Sequence, residues 1–262
     1  MTEDRTSEGK VMKILCIETS TSVCSAAICK DGEPVKQCIC TEGSNHARLL
    51  PLYIDQLLAY AREQHITLDA VALSEGPGSY TGLRIGTSTA KGLCYGLNIP
   101  LIPIPTLDIL VENFKIKNDK LNIEDGASAI LFPMIDARRM EVYTAMYNLQ
   151  STIYNSSCTK ARAVVVESEK SFSEALVQDD RTTEQSLSGA VFYFGDGAEK
   201  CQSVLKAGNW HYLAGIVPEA QYMGRLAENS QQSAISNQQL AYYEPFYLKE
   251  FVAAQSHVKG LK

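Results

Sequence analysis

Three acidic residues stand where an apolar run gives way to a turn: Glu18 in ILCIETSTSV, Asp136 in FPMIDARRM and Asp196 in YFGDGA. A carboxylate at a strand end is where nucleotide-handling enzymes set a magnesium-organising group, which makes phosphoryl transfer the chemistry to consider first. Each has a plainer role beside it. Glu18 can accept from the amides of Thr19 to Thr21, and Asp is favoured in turns for its side-chain-to-backbone bond whether or not a ligand is near. Arg138 and Arg139 could receive an anion, but a hairpin tip displays such charges routinely.

Between these acids lies GPGSYTG, residues 76–82, a glycine-proline turn leading from a strand into a helix. Backbone amides at such a junction can cradle phosphate. The pattern fits neither familiar loop: Leu83 and Arg84 stand where a Walker loop has Lys and Ser or Thr, and Gly76, Gly78 and Gly82 are spaced G-x-G-x-x-x-G. The alternative is architectural. Gly76 and Gly78 permit a sharp exit from the strand, and Ser79 or Thr81 caps the helix. Gly82, Gly86 and Ala90 form a small-residue stripe at i, i+4, i+8 that lets another element approach closely. One glycine on either side of Asp196 is also less than the longer adenosine loop expected of a kinase.

Metal chemistry has little to work with. The four histidines, His46, His65, His211 and His257, include no pair four apart, and none of the eight cysteines sits in a C-x-x-C pair. Free thiols in a reducing cytosol are expected.

The elements that must position these residues read as a sheet-first α/β order. Residues 11–42 give an antiparallel meander of three strands with a turn at Asp31-Gly32. SNHARLLPLYIDQLLAYAREQHI is a helix with Ser44 or Asn45 as N-cap and Pro51 loosening its first turn. LDAVALSEG is a fourth strand, LRIGTSTAKGLCYGLN a second helix, and IPLIPIPTLDIL a fifth, proline-interrupted strand. A weaker copy follows the polar stretch 115–125: a strand into the Asp136–Arg139 turn, another strand, then a strand, the Gly195-Asp196-Gly197 turn and a short helix. The expected divisions are a disordered tail at 1–12, an N-terminal lobe at 13–110, a degenerate C-terminal lobe at 111–240, and a segment at 241–262 that packs back and frays at its end. The polar span 151–189 is the least patterned.

The first helix has too much apolar circumference for one docking face. With about 100° per residue, Leu50, Ile54, Leu57, Leu58 and Ala61 share one arc and suffice to seat it on a sheet. A second arc holds Leu49, Leu52, Tyr53, Ala59 and Tyr60 with Gln56 among them. A surface helix normally shows one stripe, so burial on two sides is expected, against the rest of this chain or a partner. Tyrosines at the edge suit an interface.

The 262 residues are 45% hydrophobic and 21% charged, ordinary globular proportions, with a net charge of -6. An acidic surface should bind RNA poorly by itself. No run approaches the ~18 apolar residues of a membrane span, so a cytoplasmic, membrane-free protein is expected.

ILCIETSTSVCSAAI, HARLLP, LSEGPGSYTGLRIGTSTAKGL, PLIPIPTLDIL, MIDARRMEVY, FGDGA and EPFYLK, in this order, resemble the tRNA threonylcarbamoyladenosine biosynthesis family TsaB, also called YeaZ. The first half of the chain matches closely, the second mostly at its turns. The resemblance implies an α/β, two-lobed actin/Hsp70/sugar-kinase-like (ASKHA) fold, each lobe RNase H-like β-β-β-α-β-α. It also implies a non-catalytic scaffold subunit of the complex that forms N6-threonylcarbamoyladenosine at position 37 of tRNAs reading ANN codons. Such a subunit would pair with TsaD, recruit the ATPase TsaE, form a homodimer when alone, and meet tRNA only through the complex. The implied contact with TsaD uses the helices at 46–62 and 81–97, which assigns Leu49, Leu52, Tyr53, Gln56, Tyr60, Gly82, Gly86 and Ala90 to the interface. TsaD-like chains share the Ile-Glu-Thr-Ser opening and the G-P-G turn but run next into a His-x-x-x-His metal pair, and PLIPIPTLDIL has no histidine. No cofactor is required on this view. ATP or ADP at the complex interface stays open, with Glu18, Gly76, Gly78, Asp136 and Asp196 as the residues a nucleotide would meet. The rival is a small-molecule kinase or ATPase of the same fold using Glu18, the 76–82 turn and Asp196 around magnesium nucleotide. A metallopeptidase would lack a metal site.

Overall fold

A computed structural model describes residues 11–43, 45–118, 129–149, 159–176 and 189–249 of the chain. Strands β1 (Lys13–Glu18), β2 (Cys24–Lys30) and β3 (Glu33–Cys40) form the expected antiparallel meander. Asp31 and Gly32 turn β2 into β3 with φ of 54° and 73°, the positive pair that a two-residue hairpin of matching twist requires. Strands β4 (Ala70–Gly76) and β5 (Leu101–Pro105) add in parallel, giving the order β3-β2-β1-β4-β5. Helices α1 (His46–Glu63) and α2 (Tyr80–Leu97) complete the order β-β-β-α-β-α-β read from the sequence.

Alternation along the strands sends side chains to both faces of this sheet. Leu15, Ile17, Cys24, Ala26, Ile28, Val71 and Leu73 meet α1 and α2 on one face. Ile14, Cys16, Ala27, Cys29, Ala70 and Ala72 meet the other layer. That layer consists of α3 (Thr106–Lys117), a 3-10 turn at Ala220–Met223 and α5 (Gly224–Asn229). The Asn45 side chain makes no capping bond, and α1 runs unbroken through Pro51. Ser44 lies outside the described residues.

The fifth strand ends earlier than expected. PLIPIP is strand, but TLDIL opens helix α3, which carries acidic Asp108 in its first turn and Lys115 and Lys117 in its last, as the helix dipole favours. Its charges were legible, yet its apolar residues surround the axis, because Ile109 packs on the first sheet while Leu107, Leu110, Val111 and Phe114 pack on the second. A helix buried on all sides carries no polar stripe to mark its period.

The second sheet comprises β6 (Ala129–Asp136), β7 (Glu141–Thr144), β8 (Tyr147–Leu149), β9 (Arg162–Val165), β10 (Ala190–Phe194) and β11 (Trp210–Leu213). Its order is β11-β10-β6-β7-β9, with β8 pairing β6. One face holds Phe132 stacked on Trp210 at 5.4 Å, with Phe172 of α4 (Lys170–Leu176) beside both. On the other, Phe114 of α3 stacks on Phe194 at 4.9 Å. After β10 the expected short helix is a 3-10 turn, Glu199–Ser203.

Both ends modify the sequence expectations. Met12, assigned to the tail, belongs to the fold: its carbonyl accepts from the Asp31 amide at 3.1 Å and its side chain joins the core. Residues 1–10 and 250–262, with the tail and frayed end expected there, lie outside the described residues, as do residues 151–158 and 177–188 of the 151–189 span. The segment up to Lys249 does pack back, with the Phe246 amide donating to the Glu75 carbonyl at 2.7 Å. Among the described residues no helix is long and apolar enough to cross a membrane.

Candidate functional site

The end of β1 and the glycine turn after β4 pack on each other. Thr19 and Ser20 are fully buried, and the Ser79 amide donates to the Ser20 carbonyl at 2.6 Å. A Cβ on Gly78 would sit 2.4 Å from that carbonyl oxygen, and one on Gly82 only 2.0 Å from the carbonyl oxygen of Thr19. One on Gly86 would meet Thr19 Oγ1 at 2.4 Å. Ser79 caps α2, accepting from the Gly82 amide at 3.4 Å. The small-residue stripe thus serves this chain's own β1. Assigning Gly82, Gly86 and Ala90 to a partner interface is corrected on this ground: all three are buried, Ala90 completely, against the first sheet. Periodic small residues announce a close approach without naming the neighbour.

Gly76, at φ 118°, is a backbone position that side chains rarely adopt, and its open side faces the C-terminal segment, where a Cβ would lie 2.4 Å from the Phe246 carbonyl oxygen. That segment is tied down by Lys91 of α2, whose ammonium donates to the carbonyls of Ala241 at 3.0 Å and Tyr243 at 3.1 Å. Tyr247 packs on Tyr80 at 5.1 Å, while Lys249 pairs with Glu141 of β7 and lies over the Tyr143 ring. The segment therefore runs from α2, past the glycine turn, to the second sheet. These contacts join residues about 100 to 170 apart in the chain, so no local pattern announced them.

Glu18 is wholly buried. Its Oε1 accepts from the Ser20 amide at 2.5 Å and the Ser20 hydroxyl at 2.6 Å, while Oε2 has no partner. Burial raises its pKa, opposed by the hydroxyls of Ser20 and Ser74 and the Ser20 amide, and the charge of Asp196 pushes it further up. Asp196 and Glu18 are thus within electrostatic reach of each other, which brings the ends of the two sheets together. Asp196 Oδ1 accepts from the Asp136 amide at 3.2 Å. Its side chain is exposed to solvent. Desolvation, with the nearby Asp136 charge adding, pushes its pKa up to about 6. Asp136 accepts from the Arg138 amide at 3.0 Å and pairs with Lys200, which also donates to the Glu141 carbonyl at 2.7 Å.

Glu75 and Asp108 are raised by burial as well, Asp108 while accepting the Tyr147 hydroxyl at 2.5 Å. Lys91, Lys200 and Lys249 are each engaged by carbonyls or carboxylates, while Arg138 and Arg139 are exposed in the turn after Asp136. Among the described residues no group of three His, Cys, Asp or Glu could hold a metal ion. His46 is buried with Nε2 3.1 Å from the Val23 carbonyl, and His257 lies outside the described residues.

Helix α1 divides as its wheel suggests. Leu50, Ile54, Leu57 and Ala61 are buried against the first sheet, with Leu58 half-buried beside them. On the second arc Leu49, Tyr53 and Tyr60 are half-buried, Leu52 is 55% exposed, and Gln56 is exposed, accepting from Cys38 Sγ at 3.3 Å. The neighbouring helix adds Tyr95, 79% exposed, and Leu97, 44% exposed. Neither was singled out in the sequence, although both close the α2 segment with side chains its inner stripe does not use.

The model of the TsaD family, tRNA N6-adenosine threonylcarbamoyltransferase, matches residues 42–256. The tRNA threonylcarbamoyladenosine biosynthesis protein TsaB of Escherichia coli (strain K12) is 35% identical over 136 residues, 52% of this chain and 55% of that protein. TsaB of Bacillus subtilis (strain 168) is 30% identical over 141 residues, 53% of this chain and 57% of that one. The match thus spans about half the length of these relatives. The solved structure of YeaZ from Pseudomonas aeruginosa superposes with a TM-score of 0.66 at 25% identity, covering 90% of this chain and 100% of that one. The chain belongs to the TsaD family, among its TsaB (YeaZ) members. That family has the two-sheet ASKHA-like, RNase H-like α/β fold expected from the sequence.

Proposed function

We propose that this chain is a non-catalytic scaffold subunit in the formation of N6-threonylcarbamoyladenosine on tRNA, pairing with a TsaD chain and serving the recruitment of the ATPase TsaE. The names of its relatives supply the pathway. The observation that carries the scaffold role is the outer side of α1 and α2, where Leu52 and Tyr95 are 55% and 79% exposed beside the half-buried Leu49, Tyr53 and Tyr60 at the edge of the core, while the opposite side of α1 is already seated in it. An exposed apolar patch of this kind is the signature of an interaction surface. Two features speak for structure over catalysis. The glycine turns are filled by this chain's own backbone, and the lysines beside the acids are each engaged by carbonyls or carboxylates. On this proposal tRNA is met only through the complex, a homodimer through the same arc forms when TsaD is missing, and the lobes divide near residue 110.

The test is reconstitution. TsaD and TsaE with this chain should transfer the threonylcarbamoyl group, the chain alone should transfer none, and Leu52→Asp should abolish the stimulation. Transfer or metal-dependent ATP turnover by the pure chain, lost in Glu18→Gln, would replace the proposal with an enzyme.

A further inference from the structure

Three cysteines share the face of the β2–β3 hairpin that lies under α1. The register sets Cys24 directly opposite Cys40 and Ala26 opposite Cys38. Alternate residues of a strand share a face, so all three thiols belong to the side that carries Cys24, Ala26 and Cys38 into the core beneath α1. Burial raises the pKa of the Tyr53 hydroxyl, and Cys40, Cys24 and Cys38 push it in the same direction, in keeping with thiols grouped on this face.

We infer that Cys24 and Cys40 form an oxidation site, a cross-strand thiol pair that peroxide closes into a disulfide. Directly opposed residues of an antiparallel pair have Cα atoms ~4.5–5.5 Å apart, inside the ~4.4–6.8 Å that a disulfide spans. The diagonal neighbours Cys24 and Cys38 are ~7–8 Å apart by the same geometry, beyond that reach, so the hairpin permits one bridge of the two. Access is asymmetric. Cys24 is fully buried, whereas Cys40 is half-buried at the end of the edge strand, its thiol donating to the Glu42 carbonyl at 3.2 Å. Cys16 and Cys29 are the instructive contrast: their sulfurs are 3.8 Å apart, but both are enclosed in the core and stand diagonally, Cys16 opposite Ala27 and Cys29 opposite Ile14.

The chemistry runs in two steps. The Cys40 thiol loses its proton, its sulfur attacks one peroxide oxygen, the O–O bond breaks, and the departing hydroxide takes up that proton, leaving a sulfenic acid and a water. The Cys24 sulfur then attacks the sulfenic sulfur, the S–S bond forms, the S–O bond breaks, and a second water leaves with the Cys24 proton. The two electrons given up by the thiols have reduced one peroxide. Burial holds the Cys24 thiol up at about 11, so the second step quickens as pH rises. The bridge takes Cys40 Sγ off the Glu42 carbonyl and turns it under Tyr53.

The experiment treats the full chain with hydrogen peroxide, near neutral pH and again under mildly alkaline conditions, then alkylates free thiols and maps peptides by mass spectrometry. The expected product is a Cys24–Cys40 linked peptide lacking two hydrogens, formed faster at the higher pH. It should persist in Cys38→Ser, disappear in Cys24→Ser and Cys40→Ser, and revert with dithiothreitol, while Cys16 and Cys29 stay reduced. A bridge involving Cys38, or Cys40 accumulating as sulfenic or sulfinic acid with Cys24 still alkylatable, would overturn the assignment. So would linkage appearing only after denaturation.

Discussion

Replacing Gly82 by Ala places a methyl carbon 2.0 Å from the Thr19 carbonyl oxygen, a backbone atom in the buried turn between β1 and β2. Ordinary contact needs more than an ångström of additional separation, and neither partner can rotate away, because both belong to main chain. Overpacking of a core typically costs ~1–3 kcal/mol. With backbone on both sides, the upper end applies, out of a total stability of ~5–15 kcal/mol. Gly92 on the same helix supplies the control, since a Cβ there meets nothing within 4 Å, and Ala in an open helical position gains up to ~1 kcal/mol. Urea and thermal unfolding of the isolated chain should therefore separate the two variants by about 3–4 kcal/mol. Gly82→Ala should melt well below wild type, on the order of 10 °C lower, and Gly92→Ala at or slightly above it. If Gly82→Ala unfolds like wild type and instead loses association with another chain, the close approach on this helix is to a partner and the correction made above is wrong.

Three further outcomes are expected. Asp196 has a folded pKa above that of an ordinary carboxylate, so its contribution is favourable below about pH 4 and is lost as pH rises through about 6. Asp196→Asn should accordingly match wild type in acid and melt higher above neutrality, by less than ~1 kcal/mol because the side chain stays in contact with solvent; a variant less stable at alkaline pH would contradict this. Lys91→Met removes the ammonium that holds the carbonyls of Ala241 and Tyr243, and limited proteolysis should then cut near residues 241–249 several-fold faster, with unchanged rates counting against the anchoring role. Leu50→Asp should unfold the chain, since an unpaired buried carboxylate costs several kcal/mol, and circular dichroism of the purified variant checks it.

The first sheet was legible because its signals are local: Asp31-Gly32 demands a hairpin, and two apolar runs and a third, alternating one between Lys13 and Cys40 mark three strands. The division of α1 was also legible, since 3.6-residue spacing separates Leu50, Ile54 and Leu57 from Leu49, Leu52 and Tyr53. Helix α3 was hidden by its own burial, because a helix lodged between two sheets shows no polar face. The glycine stripe was seen but given the wrong neighbour, since what fills the space beside Gly82 is Thr19, 63 residues away. Lys91, Lys200 and Phe246 stayed invisible for the same reason: their partners are distant in the chain, and a lysine or phenylalanine in isolation specifies no contact.

The central claim is that the outer arc of α1 seats a TsaD chain while the inner arc holds the fold. Sedimentation velocity of this chain with TsaD from the same cell, as wild type and as Leu52→Asp, tests it most directly, with thermal melts of each chain alone in parallel. The account predicts a one-to-one complex for wild type, none for Leu52→Asp, and melting of the variant within about 0.5 kcal/mol of wild type, as befits a surface change. A complex that survives Leu52→Asp, or a variant that loses stability along with pairing, would contradict it.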